Sequence, residues 1–300
     1  MKITITGASG FIGKHLHQHF QQRQHIITAL SLRGKGWVSK FDRYSDVVIH
    51  LAGKAHDTAN TSSESEYFDI NRDLTVRLFD LYLKSDARVF IYFSSVKAVA
   101  DTVNGVLTEE ANPSPSTPYG ESKLQAESYI LSKPIPKGKR IFIIRPCMIH
   151  GPGNKGNLNL LYKIVEKGIP WPLAKFENRR SILSIDNLNF IIERLVEDER
   201  IASNVFNVAD DVPLSTNHIV SIISNVLEQK LRLWHIPKGI IRVVAKAGDV
   251  LSLPLNSERL KKLTESYVVS NSKVKEACRV NQLPHSAEEG LKKTIQSFRI

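Results

Sequence analysis

Short apolar runs alternate with amphipathic stretches over the first half of the chain. Residues 2–6, 25–30, 47–52 and 89–93 are runs rich in apolar and β-branched side chains, and 141–144 is a fifth. Runs without strict polar alternation mark strands covered on both faces, as in parallel sheets whose crossovers are helices. Between them, 11–22, 69–83 and 119–131 carry apolar residues at three- and four-residue spacing, the period of a helix with one buried face. Together they predict an α/β fold built on a doubly wound parallel sheet.

The texture changes after Arg145-Pro146, where a Gly/Asn-rich stretch at 151–157 leads into shorter, less regular elements. This predicts a domain boundary there, with a first domain over 1–153 and a smaller C-terminal α/β domain over 154–300. Ser184-Ile185-Asp186 reads as a helix start, so a helix near 184–197 is able to rejoin the first domain. Segment 231–255 is apolar but interrupted by Pro237, Gly239, Lys246, Asp249 and Pro254. It reads as an interface or core element, with surface contact to a membrane as the weaker alternative.

Composition narrows the partners. With 300 residues, 42% hydrophobic and 24% charged, the chain has the make-up of a globular protein. No run approaches the ~18 apolar residues of a membrane span, and MKITITGASG leads directly into a strand, so a cytoplasmic protein without a transmembrane segment is expected. Cys147 and Cys278 lack His or Cys neighbours at ligand spacing, which speaks against a disulfide framework or a metal site. A net charge of +11 favours anionic partners. Its basic runs at 137–140, 261–262 and 292–293 are scattered and lack interleaved aromatics, so they read as solvated surface and not as a nucleic-acid platform.

The first chemical signal is Gly7-Ala8-Ser9-Gly10-Phe11-Ile12-Gly13, placed between the first strand and the first helix. Glycines there allow a tight turn and close approach of a pyrophosphate to the free N–H groups of the helix start, and Gly13 permits close helix–strand packing. The spacing is G-x-x-G-x-x-G, which departs from the common G-x-G-x-x-G. This makes the first domain Rossmann-type. After the second strand no acidic residue awaits the adenosine ribose; Ser31 and Arg33 stand there, and both suit a 2′-phosphate. NADP(H) is therefore the preferred cofactor and NAD(H) the alternative.

The second signal is Tyr119 and Lys123, four residues apart on one face of a helix start. A neighbouring ammonium is expected to lower the phenol's pKa and fit it for proton transfer. Ser94-Ser95 closes the fourth strand at the end where a doubly wound sheet places ligands, and Ser95 is expected to orient a substrate oxygen against Tyr119.

With these motifs the chain resembles the extended short-chain dehydrogenase/reductase family, in its NAD-dependent epimerase/dehydratase branch acting on nucleotide sugars. The similarity extends to residues 46–53, Asn71, Arg145-Pro146, Ile149-His150-Gly151-Pro152-Gly153, Arg180 and Phe206-Asn207-Val208. The resemblance implies that Gly7, Gly10, Phe11, Ile12 and Gly13 cradle the pyrophosphate. It further implies that Leu51, Ala52, Gly53, Asn71, Ser94 and Pro146 line the cofactor. Lys123 would hold the nicotinamide ribose, and Ser95 and Tyr119 would face the sugar. Lys54, Asn157, Leu158 and Arg180 would contact the nucleotide sugar, and a homodimer through helices 69–83 and 119–131 would follow.

Departures from the family pattern sort its branches. Val96-Lys97 after Ser95 replaces the acidic pair that dehydration requires, and Met148 stands where UDP-galactose epimerase would carry an asparagine. The favoured reading is NADPH-dependent reduction of a UDP-4-keto-6-deoxy-(N-acetyl)hexosamine in bacterial polysaccharide synthesis. The alternative is a UDP-glucose or UDP-N-acetylglucosamine 4-epimerase, related also to enzymes acting on lipid-linked N-acetylhexosamine. A remote alternative is a non-catalytic dinucleotide sensor or RNA-binding protein.

Overall fold

The computed structural model describes residues 1–54, 63–154, 156–251 and 255–299. In chain order its elements begin with β1 (Lys2–Thr6), α1 (Phe11–Gln22), β2 (Ile26–Leu30), β3 (Val47–His50), α2 (Glu64–Tyr67), α3 (Leu74–Leu83) and β4 (Val89–Phe93). There follow β5 (Val106–Leu107), α4 (Pro118–Ser132), β6 (Arg140–Pro146), β7 (Met148–His150), α5 (Asn157–Glu166), β8 (Ile182–Ser184), α6 (Ile185–Glu197) and β9 (Asn204–Val208). The last are α7 (Thr216–Val226), α8 (Lys238–Leu251), α9 (Ser257–Thr264), β10 (Val268–Val269), α10 (Ser272–Cys278) and α11 (Ala287–Gln296). A π-helical stretch, Phe68–Asp73, joins α2 to α3.

Six parallel strands form the main sheet in the order β2-β1-β3-β4-β6-β9. The five apolar runs of the first half are its first five strands. The sixth comes from Asn204–Val208, so the sheet draws on residues on both sides of position 153. Because β2 and β3 flank β1 on opposite sides, the chain reverses its direction of travel at β1. The crevice of a doubly wound sheet opens at the carboxyl ends of the strands flanking such a reversal.

Each face of the sheet has its own apolar layer. Ile3, Ile5, Ile49 and Ile91 pack with Leu16 and Phe20 of α1 and Leu188 and Ile192 of α6. On the other face, Val48, Phe90 and Ile143 pack with Leu78 and Phe79 of α3 and Ala126 and Ile130 of α4. A third cluster is separate from the sheet and joins Leu158 and Leu161 of α5, Val220 and Ile223 of α7, Leu260 of α9 and Leu291 of α11. Each such side chain contributes about 1.5–3 kcal/mol on leaving water. Segment 231–255 only partly enters this third cluster, since α8 buries just Ile241, Ala245 and Gly248.

Candidate active site

At the glycine turn the backbone itself is the functional group. Gly7 adopts φ +70°, and a side chain there would lie 2.7 Å from the Ala52 amide nitrogen. A Cβ on Gly13 would overlap the Gly7 carbonyl and come within 2.6 Å of Ala8 Cα. The turn is thus pressed between β3's exit and the first turn of α1. Gly10 caps α1 with no side chain, and the first turn carries no acidic residue, so the leading N–H groups and the helix's positive end face the crevice. A cleft of about 750 Å³ runs from there past Ser31, Arg33 and Leu51 to Lys54. These features fit a dinucleotide pyrophosphate. Ser31 and Arg33 stand together at the far end, the Arg33 N–H donating to Ser31 Oγ at 3.4 Å.

A smaller chamber of about 240 Å³ adjoins the cleft, sharing Leu51, Gly53 and Lys54 with it. Ile12, Ser94, Ser95, Tyr119, Lys123 and Pro146 line it, so residues from α1, β4, α4 and β6 converge there. Local chemistry explains the convergence. Thr117 caps α4 by accepting the Gly120 N–H at 3.2 Å, and Pro118 pre-sets the first helical turn. Ser95 caps the short 96–98 turn by accepting the Lys97 N–H at 3.1 Å. Any side chain at Gly120 would overlap the Lys97 carbonyl, so glycine lets the start of α4 meet that turn. Tyr119 and Ser95 hydroxyls are thereby brought into a hydrogen bond.

The proton chemistry differs from the sequence expectation. Burial raises the Tyr119 pKa above its ordinary value; the Ser95 hydrogen bond offsets part of this, and the neighbouring Tyr67 adds to it. Lys123 does not lower it here. Its ammonium donates to the Phe93 carbonyl at 2.8 Å and sits 5.0 Å over the Tyr92 ring. Burial moves Lys123 down to about 8, with Glu127 partly opposing the shift. Tyr119 is accordingly a protonated phenol poised to donate.

Two supporting networks join residues far apart in the chain. Glu127, one helical turn past Lys123, is 1% exposed; it accepts a hydrogen bond from Ser94 Oγ and two from Arg145 Nε at 3.0 and 3.1 Å. The spacing Tyr119, Lys123, Glu127 puts all three on one helix face and was the available clue. The second network runs through His50, which is fully buried between Thr6 Oγ1 at 2.7 Å and Thr75 Oγ1 at 2.8 Å. Thr75 donates onward to the Asn71 carbonyl, so His50 Nε2–H donates to Thr75 and Nδ1 accepts from Thr6. Burial pushes the imidazole down to about 3, which leaves it neutral.

Asn71 is fully buried, and its side chain is hydrogen-bonded within the chain. Its Oδ1 accepts the Lys54 N–H at 2.7 Å, and its Nδ2 donates to the Lys54 carbonyl and to Ser122 Oγ, both at 3.1 Å. It clamps the 51–54 exit of β3 against α4. Ser94 likewise spends its hydroxyl on Glu127 while lining the chamber. Phe11 packs edge-on against His15, with ring centroids 5.1 Å apart.

The four residues expected to meet substrate have different placements. Lys54 lines the chamber and pairs with Glu66. Leu158 is 2% exposed within the third apolar cluster, so its side chain is packing and only its backbone is left for a ligand. Arg180 is half-buried, donates to the Lys262 carbonyl, and lies near enough to the chamber residue Cys147 for the two to influence each other's charge. Asn157 opens α5, and its side chain lies outside the described residues.

The model of the NAD dependent epimerase/dehydratase family matches residues 3–209. A UDP-glucose 4-epimerase of Vibrio cholerae is 28% identical, over 99% of this chain and 95% of its own. The N-acetyl-α-D-glucosaminyl-diphospho-ditrans,octacis-undecaprenol 4-epimerase of Escherichia coli O157:H7 is 25% identical, over 98% and 94%. A GDP-6-deoxy-D-mannose reductase of Pseudomonas aeruginosa is 25% identical, over 80% and 85%. Among solved structures, RMD from Pseudomonas aeruginosa complexed with NADPH superposes with a TM-score of 0.77 at 19% identity, over all of both chains.

Proposed function

Because this chain belongs to the NAD-dependent epimerase/dehydratase family of nucleotide-sugar enzymes, we propose that it oxidises or reduces C4 of a UDP-linked hexose or N-acetylhexosamine, with Tyr119 as the proton carrier. The carrying observation is the Ser95–Tyr119 hydrogen bond inside a chamber that opens from the dinucleotide-sized cleft.

Gly7, Gly10 and the first turn of α1 would hold the pyrophosphate, Leu51 to Gly53 the adjoining edge, and Lys123 the nicotinamide ribose. The bound nicotinamide supplies or accepts the hydride. Tyr119 delivers its proton to the sugar oxygen when a ketone is reduced and recovers it when an alcohol is oxidised. Ser95 aligns that oxygen and hydrogen-bonds the phenolate left behind. Lys123 favours that phenolate electrostatically once a ligand draws its ammonium off the Phe93 carbonyl.

For the net reaction we favour 4-epimerisation, the activity named for the two relatives that match this chain over nearly their full lengths. The second reading, an NADPH-dependent 4-ketoreductase, is supported by Ser31 and Arg33 at the adenosine end of the cleft, with Lys40 beside them. Two assays separate these. Incubation with UDP-N-acetylglucosamine or UDP-glucose, followed by NMR of the sugar, should reveal the galacto epimer without net cofactor change. Incubation with a UDP-4-keto-6-deoxyhexosamine should instead consume NADPH if the enzyme is a reductase. Absence of both reactions removes the proposal.

A further inference from the structure

Helix α8 is exposed over most of its circumference, and its exposed surface is largely apolar. At 3.6 residues per turn, Ile240, Val243, Val244, Ala247, Val250 and Leu251 share one stripe about 120° wide. Val243 is 68% exposed, Val250 83% and Leu251 66%. The narrow buried edge, Ile241, Ala245 and Gly248, lies on a different side and already anchors the helix to the third apolar cluster and α9. The outer stripe is therefore surplus to folding. Trp234, 53% exposed, precedes the helix. Solvated apolar surface this continuous marks a contact with something else.

The charges around the stripe identify that partner. Between 230 and 251 the chain carries Lys230, Arg232, Lys238, Arg242 and Lys246 against a single acid, Asp249. All five cations are exposed, and on the helix itself Lys246 borders the stripe while Arg242 lies about one further step round. Asp249 is turned to the chain, accepting the Ser257 N–H at 2.9 Å and its hydroxyl at 2.5 Å. A second copy docked face to face through this helix would bring ten cations together, five from each, which opposes self-association. A surface that accepts apolar side chains to shallow depth and presents negative charge beside them meets both demands.

We propose that α8 docks the protein in-plane on an anionic lipid bilayer, its Val243/Val250 stripe in the acyl–headgroup boundary and Lys246, with the long arm of Arg242, on lipid phosphates. No helix among the described residues is long and apolar enough to cross a membrane, so this contact is peripheral. It is independent of the reaction assigned to the cleft, because a protein inactive on every sugar tested would still bind.

The test is co-sedimentation of the whole protein with phosphatidylglycerol/phosphatidylcholine vesicles and with phosphatidylcholine alone. Binding is expected on the anionic vesicles and should weaken by about tenfold when salt rises from low to near-molar. The double variants Val243→Asp/Val250→Asp and Arg242→Glu/Lys246→Glu should each lose at least about tenfold in partition coefficient. Their melting temperatures should stay near wild type, since all four side chains are exposed. The proposal is overturned if wild type ignores anionic vesicles or if both variants bind them as well as wild type. It is also overturned if the aspartate variant instead dissociates a dimer seen by light scattering while vesicle binding is absent throughout.

Discussion

The carboxyl edge of the sheet and the helical cluster beyond residue 154 obey opposite rules of construction. At the sheet edge, backbone against backbone decides the geometry: Gly7 faces Ala52, Gly13 faces Ala8, and Gly120 faces the Lys97 carbonyl. In the helical cluster, side-chain volume decides it, through Leu161, Val220, Ile223 and Leu291. Three of its glycines, Gly156, Gly168 and Gly239, lie in open space with nothing near an added Cβ, whereas Gly248 and Gly290 are packed against the Leu255 carbonyl and the Ser184 side chain. Chemistry needs fixed positions, and close-packed backbone supplies them.

Substitutions that strike one region and spare the other test this contrast. The largest effect is expected from Tyr119→Phe, which keeps the ring against Tyr67 but removes the proton carrier. Turnover of the UDP-sugar should fall by about 10²–10⁴ while dinucleotide affinity, read by fluorescence titration, holds. Next, Leu291→Ala empties a fully packed site in the helical cluster and should cost about 2–5 kcal/mol in urea unfolding. If the two regions are separately built, the dinucleotide affinity of that variant stays within about twofold of wild type under native conditions, an equality that a shared core would break.

Lys123 gives a pH signature confined to the sheet edge. Its folded pKa, about 8, lies below the ordinary lysine value of 10.5, so the unfolded chain holds more protons between those values. The cost of its burial is thus present in full below pH 8 and relieved as pH climbs through that window. Stability should rise by up to about 3 kcal/mol from this group, and Lys123→Met should erase that part of the rise.

Gly13→Ala should lower stability by about 1–3 kcal/mol and weaken dinucleotide binding, because the overlap falls on backbone that cannot swing aside. The smallest effect is its counterpart on the other side. Gly239→Ala meets open space inside α8 and should raise stability by up to about 1 kcal/mol, visible as a higher urea midpoint. Opposite signs for these two alanines would confirm the contrast; losses in both would end it.

Periodicity and glycine spacing were enough to locate the first five strands, the glycine turn before α1 and the shared helix face of Tyr119 and Lys123. Each is encoded within a dozen consecutive residues by local sterics, so a linear string carries it. Tertiary structure alone decided that Asn204–Val208 would complete the sheet and that Asn71 would clamp Lys54. It also decided that Glu127 and Arg145 would join beneath Ser94, and that Tyr119 would sit in surroundings that raise its pKa. Each of these turns on which distant groups share a buried space, because desolvation and charge pairing depend on three-dimensional neighbours and leave no periodic trace along the chain.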